Sequence, residues 1–218
     1  VGVIGGGSFF IFKVILRRMI LNAEVGCSMD NKWLIFDAMG VIFTVGDDIN
    51  DLLVPFIRVR NKGMTREYIN KIYKEASLGK ITSKAFWQKM NICPKGEEEK
   101  ICREYLDSSL TIDDQFSNVA KRLKEKYKLA ILSNDVSEWS KYLREKFLLD
   151  ELVQFSIISG DIKCRKPDAA IYQLAIEKMG TTPENCIFID DSEKNLLSAQ
   201  KEGIKVVRFF RGGEVKLN

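Results

Sequence analysis

From Lys32 onward the chain alternates short apolar runs with longer stretches in which apolar residues recur every three or four positions. The short runs are WLIFD (33–37), LAILSND (129–135), QFSIIS (154–159), CIFID (186–190) and KVVRFF (205–210). Runs of this length, continuously apolar and ending in polar turns, predict strands buried on both faces. Residues 41–45, VIFTV, predict one more strand, folded into a hairpin closed by Gly46-Asp47. The longer stretches predict helices. DQFSNVAKRLKEKY, SEWSKYLREKFLL, PDAAIYQLAIEKMG and EKNLLSAQKEG each lead from one turn to the next strand. Such alternation predicts an α/β core with a parallel sheet between two helical layers. Ligands of such sheets bind beyond the carboxyl ends of the strands.

Residues 48 to about 110 break the alternation. INDLLVPFIRVRN has helical spacing, with Pro55 expected to fall near an end or to kink it. Thr65 precedes REYINKIYKEASLG, Thr82 or Ser83 caps KAFWQKM, and GEEEKICREYLDSSL completes a fourth helix. No strand signal interrupts them. The expected organisation is a core from 29–47 and 111–218, with a small helical insert at 48–110.

The opening VGVIGGGSFFIFKVILRRM fits neither part. Gly5 and Gly7 begin a dinucleotide fingerprint, but its third glycine falls at Phe10. The apolar run is broken by Lys13 and ends at Arg17-Arg18, short of a membrane span. Its positive charge follows the apolar run, whereas a secretory signal carries charge before it. Residues 1–28 are therefore expected to be an extension outside the fold, with Met29 as the functional start.

Composition narrows the chemistry. Net charge is +4 without a long basic block, which fits a solvated surface better than nucleic-acid binding. The five cysteines form no C-x-x-C pair, as in a reduced cytoplasmic protein. The chain has no histidine, which excludes Ser-His-Asp and Cys-His catalysis and H-E-x-x-H zinc sites. Any metal is expected to be hard and oxygen-bound, such as magnesium.

Polar residues gather at the strand ends: Asp37, then Ser133-Asn134-Asp135, then Asp190-Asp191. IKCRKPD (162–168) adds Lys166 before Pro167, a residue suited to a helix's first turn. If the strands are neighbours, these groups face one crevice. The ordered set FDAMGV, ILSND, KCRKPD and FIDDSEKN resembles the haloacid dehalogenase superfamily, over residues 31 to about 210. The resemblance implies a Rossmann-like three-layer core and makes the helical insert a cap over the active site, with SLGKITSKAFW (77–87) facing substrate.

The resemblance also implies a magnesium-dependent phosphatase of small phosphorylated metabolites. Asp37 attacks phosphorus and forms an aspartyl phosphate, which water hydrolyses. Asp37, Asp191 and the Met39 backbone carbonyl hold Mg2+, with Asp190 nearby or bound through water. Ser133 and the following Asn134 N–H hold phosphate oxygens. Lys166 offsets the negative charge, and Asn195 hydrogen-bonds near it.

The sequence departs from the family at Met39. Most of its phosphatases have a second aspartate there, which protonates the leaving alcohol and activates water. Such acid–base help is worth about 10²–10⁴ in rate. Asp47 and Asp48 are candidate replacements. Halide needs no proton, so a 2-haloacid dehalogenase-like hydrolase is the alternative, although that chemistry needs no Asp190-Asp191 pair. A catalytically weak binding protein on this fold is the other. Lys80, Arg58, Arg60 and Trp87 are candidate substrate contacts from the insert.

Overall fold

The computed structural model describes residues 31–211; the extension at 1–28 and the last seven residues of the expected core lie outside them. Five parallel strands form one sheet in the order β3-β2-β1-β4-β5. They are β1 (Trp33–Phe36), β2 (Lys128–Ser133), β3 (Phe155–Ile158), β4 (Cys186–Asp190) and β5 (Lys205–Arg208). β1 lies in the middle, with Phe36 level with Ile131 of β2 and Ile189 of β4. The carboxyl ends of β1, β2 and β4 therefore sit side by side.

Strand periodicity divides the core. Leu34 and Phe36 face one buried cluster, and Trp33 and Ile35 face the other. α5 (Phe116–Leu123) and α6 (Ser137–Lys146) pack against the first face. α7 (Ala169–Met179) and α8 (Glu193–Lys201) pack against the second. The result is the expected three-layer Rossmann-like core. α7 begins at Ala169, two residues beyond Pro167, because Asp168 has extended backbone and occupies the cap position.

Residues 49–109 are helical, as the spacing predicts. A helical segment Ile49–Leu53 runs into α1 (Val54–Arg60), with Pro55 in the first turn of α1, where its missing N–H costs nothing. α2 (Arg66–Ala76) and α3 (Ser83–Met90) start at Thr65 and Thr82, whose hydroxyls accept from Tyr68 N and Ala85 N, each at 3.2 Å. α4 (Glu98–Ser109) closes the block. Its apolar residues, including Phe86, Trp87 and Tyr105, belong to the same buried cluster as Leu34 and Phe36. Trp139 of α6 stacks on Trp87 at 5.4 Å and meets Tyr73 at 6.0 Å. Insert and core thus share one apolar interior.

The expected hairpin at 41–45 does not form. Phe43 N donates to Ala38 O at 2.9 Å, and Gly40 N donates to Val45 O at 2.8 Å, so the segment coils back on itself. Its one sheet-like contact is an antiparallel bridge between Phe43 and Ile112. The physical reason is Asp191. A Cβ on Gly40 would lie 2.1 Å from Asp191 Oδ2, and one on Gly46 would lie 2.4 Å from it. Gly40 also sits at φ +77°, which favours glycine. The loop is built to let a carboxylate press against its backbone.

Among the described residues, no helix is long and apolar enough to cross a membrane. The four described cysteines are free.

Candidate active site

Asp37 follows the last residue of β1, and its N–H is held by Ile189 O at 2.9 Å. Its Oδ1 accepts from Ala38 N and from Lys166 Nζ, both at 2.7 Å. Lys166 is 3% exposed, and its ammonium also reaches Asp190 Oδ2 at 2.9 Å. Burial alone would lower the lysine's pKa, but Asp190 and Asp37 outweigh it and raise the value. The side chain is therefore an ammonium ion wedged between two carboxylates.

Asp190 is wholly buried and richly bonded. Its oxygens accept from Ser192 N at 2.7 Å, Lys166 Nζ at 2.9 Å and Asn195 Nδ2 at 3.0 and 3.3 Å. Asp191 lies beside it, against Gly40 and Gly46. Asp37, Asp190 and Asp191 offer carboxylate oxygens that all lie within 4.8 Å of one another. One lysine does not balance three such charges. Burial, then Asp190, push the Asp37 pKa well above the usual carboxylate range, with Lys166 opposing. Burial, then Asp190, raise Asp191 as well. A divalent cation would supply the missing positive charge, and three close carboxylates suit a hard, oxygen-preferring ion. The residues present fit magnesium.

Ser133 ends β2. Its hydroxyl is buried and has no hydrogen-bond partner among the described residues. Such groups are rare without a ligand or water. The Asn134 side chain has a positioning task of its own. Its Nδ2 donates to Lys166 O at 2.9 Å and its Oδ1 accepts from Lys166 N at 2.8 Å, so the side chain clamps the lysine's backbone. Asn195 likewise spends its side-chain amide on Asp190. Both amides position charged neighbours, and neither side chain is free for phosphate. Met39 lies in the turn beside Asp37, with its side chain in the apolar core.

The two candidate acids separate. Asp47 is exposed and bonds Asn50 N and Nδ2 at the next helical turn. Asp48 is buried, and burial, then Asp47, push its pKa up to about 7, with Arg165 among the groups opposing. Asp135, beyond Ser133, is also buried and raised, first by desolvation and then by Asp48. Neither Asp48 nor Asp135 has an ion pair within 4.0 Å among the described residues. Asp48 also acts on Tyr73 and Tyr105, whose phenol pKa values are raised first by burial and then by Asp48. Tyr73 Oη donates to Asn134 O at 3.0 Å, tying α2 to the end of β2. Sequence spacing gives no hint of this second cluster, because its members come from four separate segments.

The remaining candidates from the insert fall elsewhere. Trp87 is wholly buried among aromatic rings. Arg60 is committed to Glu104, Phe56 O and the Phe56 ring. Arg58 and Lys80 are exposed. A cavity of about 520 Å³ between α3, α4 and α6, lined by Glu98, Cys102, Arg103 and Glu138, contains none of the site residues.

Known proteins resemble this chain. A family description of haloacid dehalogenase-like hydrolases matches residues 32–203. An (S)-2-haloacid dehalogenase 4A of Burkholderia cepacia is 29% identical over 119 residues, covering 55% of this chain and 51% of that protein. The chain thus spans about half the length of that curated relative. A HAD family enzyme of Bacteroides thetaiotaomicron, crystallised with magnesium and inorganic phosphate, superposes with a TM-score of 0.72 at 23% identity. That match covers 84% of this chain and 96% of the enzyme. The L-2-haloacid dehalogenase of Xanthobacter autotrophicus superposes with a TM-score of 0.56 at 21% identity, covering 81% and 76%. At these identities the two structures bear on the fold alone. With its family match running from the start of β1 past the end of α8, the chain belongs to the haloacid dehalogenase-like hydrolases.

Proposed function

We propose that this hydrolase is a magnesium-dependent phosphatase of small phosphorylated metabolites. The observation that carries the reading is the group formed by Lys166, Asp37, Asp190 and Asp191, with the unpartnered Ser133 hydroxyl beside it in the sheet. Three clustered carboxylates are unfavourable around a nucleophile unless a metal cation offsets their charge, and such a cation in turn favours an anionic phosphoryl group at the site.

Asp37 is the nucleophile. One of its oxygens is held by Ala38 N and Lys166, which leaves the other to attack phosphorus. An O–P bond forms to Asp37 as the bond to the leaving oxygen breaks. Water then attacks the same phosphorus, releasing phosphate and restoring the carboxylate. Ser133 and the Asn134 N–H hold phosphoryl oxygens, and Lys166 keeps Asp37 oriented. Asp37, Asp191 and the Met39 carbonyl would hold magnesium, which would supply neutralisation of phosphoryl charge. The four hydrogen bonds that Asp190 already accepts favour water-mediated contact for that residue. The helical block acts as the cap. Asp48 supplies the proton that Met39 cannot, a role that suits a carboxyl group titrating near neutrality.

Met39 also suits dehalogenation, since halide leaves without a proton. A panel of phosphate esters and 2-haloacids, each with magnesium or with excess chelator, separates the two. Phosphatase turnover that chelation stops and magnesium restores is expected. Turnover of 2-haloacids in chelator, without phosphatase activity, would overturn the proposal.

A further inference from the structure

Arg165 sits next to the lysine that holds Asp37, yet phosphoryl transfer gives it no task. The side chain is half-buried and reaches the helical block. Its Nη1 donates to Ser77 Oγ at 2.7 Å, just past the end of α2. Its guanidinium lies 5.9 Å from the centre of the Tyr73 ring. Ser77 is wholly buried, and Tyr73 is itself tied to Asn134. Asn134 also grips both ends of the neighbouring Lys166 backbone unit. Arg165 is thus held at its base and near its tip, unlike an arginine that sways in solvent.

Its charge is nevertheless unanswered. A guanidinium carries five N–H donors in a rigid fork. Here its one hydrogen-bond partner among the described residues is a neutral hydroxyl, and no carboxylate lies within 4.0 Å. Asp48 feels the guanidinium without pairing to it. A fixed, half-buried arginine with spare donors is built to receive an anion, and its planar fork matches a carboxylate. It lies between the block and the strand ends, beside Tyr73 and Asn134, where the non-reacting part of a substrate would extend.

Building on the phosphatase reading, we propose that Arg165 is a specificity-determining residue that binds a carboxylate on the leaving group. The substrates are then phosphorylated carboxylic acids, not neutral phosphate esters. A carboxylate on Arg165 also removes the cation that opposes protonation of Asp48. The leaving-group acid is thereby kept protonated when the right substrate is bound.

The test compares matched pairs differing in the carboxylate alone: phosphoglycolate with its carboxamide, and 3-phosphoglycerate with glycerol 3-phosphate. Wild type is expected to prefer the acid of each pair by about 10–100-fold in kcat/KM, the worth of a charge-assisted contact. In Arg165→Met that preference should collapse toward one through a raised KM for the acid, and Arg165→Lys should restore part of it. A wild type that hydrolyses both members equally, or an Arg165→Met that keeps the preference, overturns the proposal. Calorimetry with magnesium present supplies a readout that needs no turnover. Phosphonoacetate should bind more tightly than methylphosphonate to wild type, and Arg165→Met should erase the difference. If that binding difference appears while every phosphate ester is inert, the phosphatase reading has failed and the arginine's role stands. If esters turn over but no binding difference exists, the reverse holds.

Discussion

Asp37 and Asp190 share a lysine, with Asp191 beside them, whereas Asp48 and Asp135 have no ion pair among the described residues. Both sets are largely buried, and both lie near the carboxyl ends of the strands. The first set is crowded enough that its oxygens can share one ion, and even Lys166 leaves Asp37 and Asp191 raised. The second set is surrounded by phenols and backbone N–H groups, with arginines acting only from a distance. Excess negative charge inside a protein is settled either by a cation or by a proton. In the proposed mechanism the crowded set takes a metal and the unpaired set a proton, since burial raises the pKa of both Asp48 and Asp135. On the phosphatase reading proposed above, a protein with Met39 in place of an acid needs both services, and the two sets divide them.

The largest effect should come from breaking the first set. Asp37→Asn keeps the shape and removes the attacking charge, and should lower phosphatase turnover by about 10³-fold or more. Lys166→Ala leaves two buried carboxylates without their ammonium, and should cost about 10²–10³-fold. Steady-state kinetics with a chromogenic ester and circular dichroism as a folding control check both. Wild-type turnover in Asp37→Asn would end the covalent mechanism.

Metal binding can be read without activity. Magnesium at 100 times its Kd should stabilise wild type by about 2.7 kcal/mol. Asp191→Ala should lose that stabilisation, and Asp135→Asn should keep it. Thermal unfolding with and without magnesium measures both, and an equal shift in all three proteins would place the ion elsewhere.

The second set is tested by its proton. Asp48→Asn should lower kcat/KM for alkyl phosphates by about 10²-fold and for aryl phosphates far less. Its rate should depend steeply on leaving-group pKa, and adding Met39→Asp should flatten that dependence. In wild type, alkyl phosphate hydrolysis should fall as pH rises through about 7, where Asp48 loses its proton. A wild-type pH profile that Asp48→Asn does not change would remove Asp48 from the chemistry.

A smaller effect concerns stability. The folded-state pKa of Asp48 is raised from 3.8 to about 7. The folded chain therefore holds this proton more tightly, and that contribution is full below pH 3.8 and lost as pH rises through 7. The loss is at most about 4 kcal/mol. Asp48→Asn should thus gain stability relative to wild type as pH rises from about 4 to about 7 and hold that gain above it, as denaturant titrations would reveal. Asp47→Asn should change turnover by less than about twofold, since exposed polar contacts contribute little; a loss as large as that of Asp48→Asn would reverse the assignment.

The order of strands and helices was legible in the sequence because it depends on local periodicity. A buried run such as WLIF reads as a strand wherever it sits, and Thr65 and Thr82 mark helix starts through bonds made three residues away. The site's main polar groups were legible too, since Asp37, Ser133 and Asp190 close three apolar runs whose strands become neighbours. The turn after Asp37 was not. VIFTV has the composition of a strand, but Asp191 arrives from the far end of the chain and occupies the space beside Gly40 and Gly46. The task of the Asn134 side chain was hidden for the same reason, because an amide's partner is set by what lies opposite it, whereas Asn195 does bond beside Lys166 as its spacing suggested. Also hidden were the difference between adjacent Asp47 and Asp48 and the unanswered charge of Arg165. Sequence determined which residues carry charge and which segments are buried. Tertiary structure alone decided which charges meet, because electrostatic energy depends on distance and desolvation, and neither is encoded in spacing along the chain.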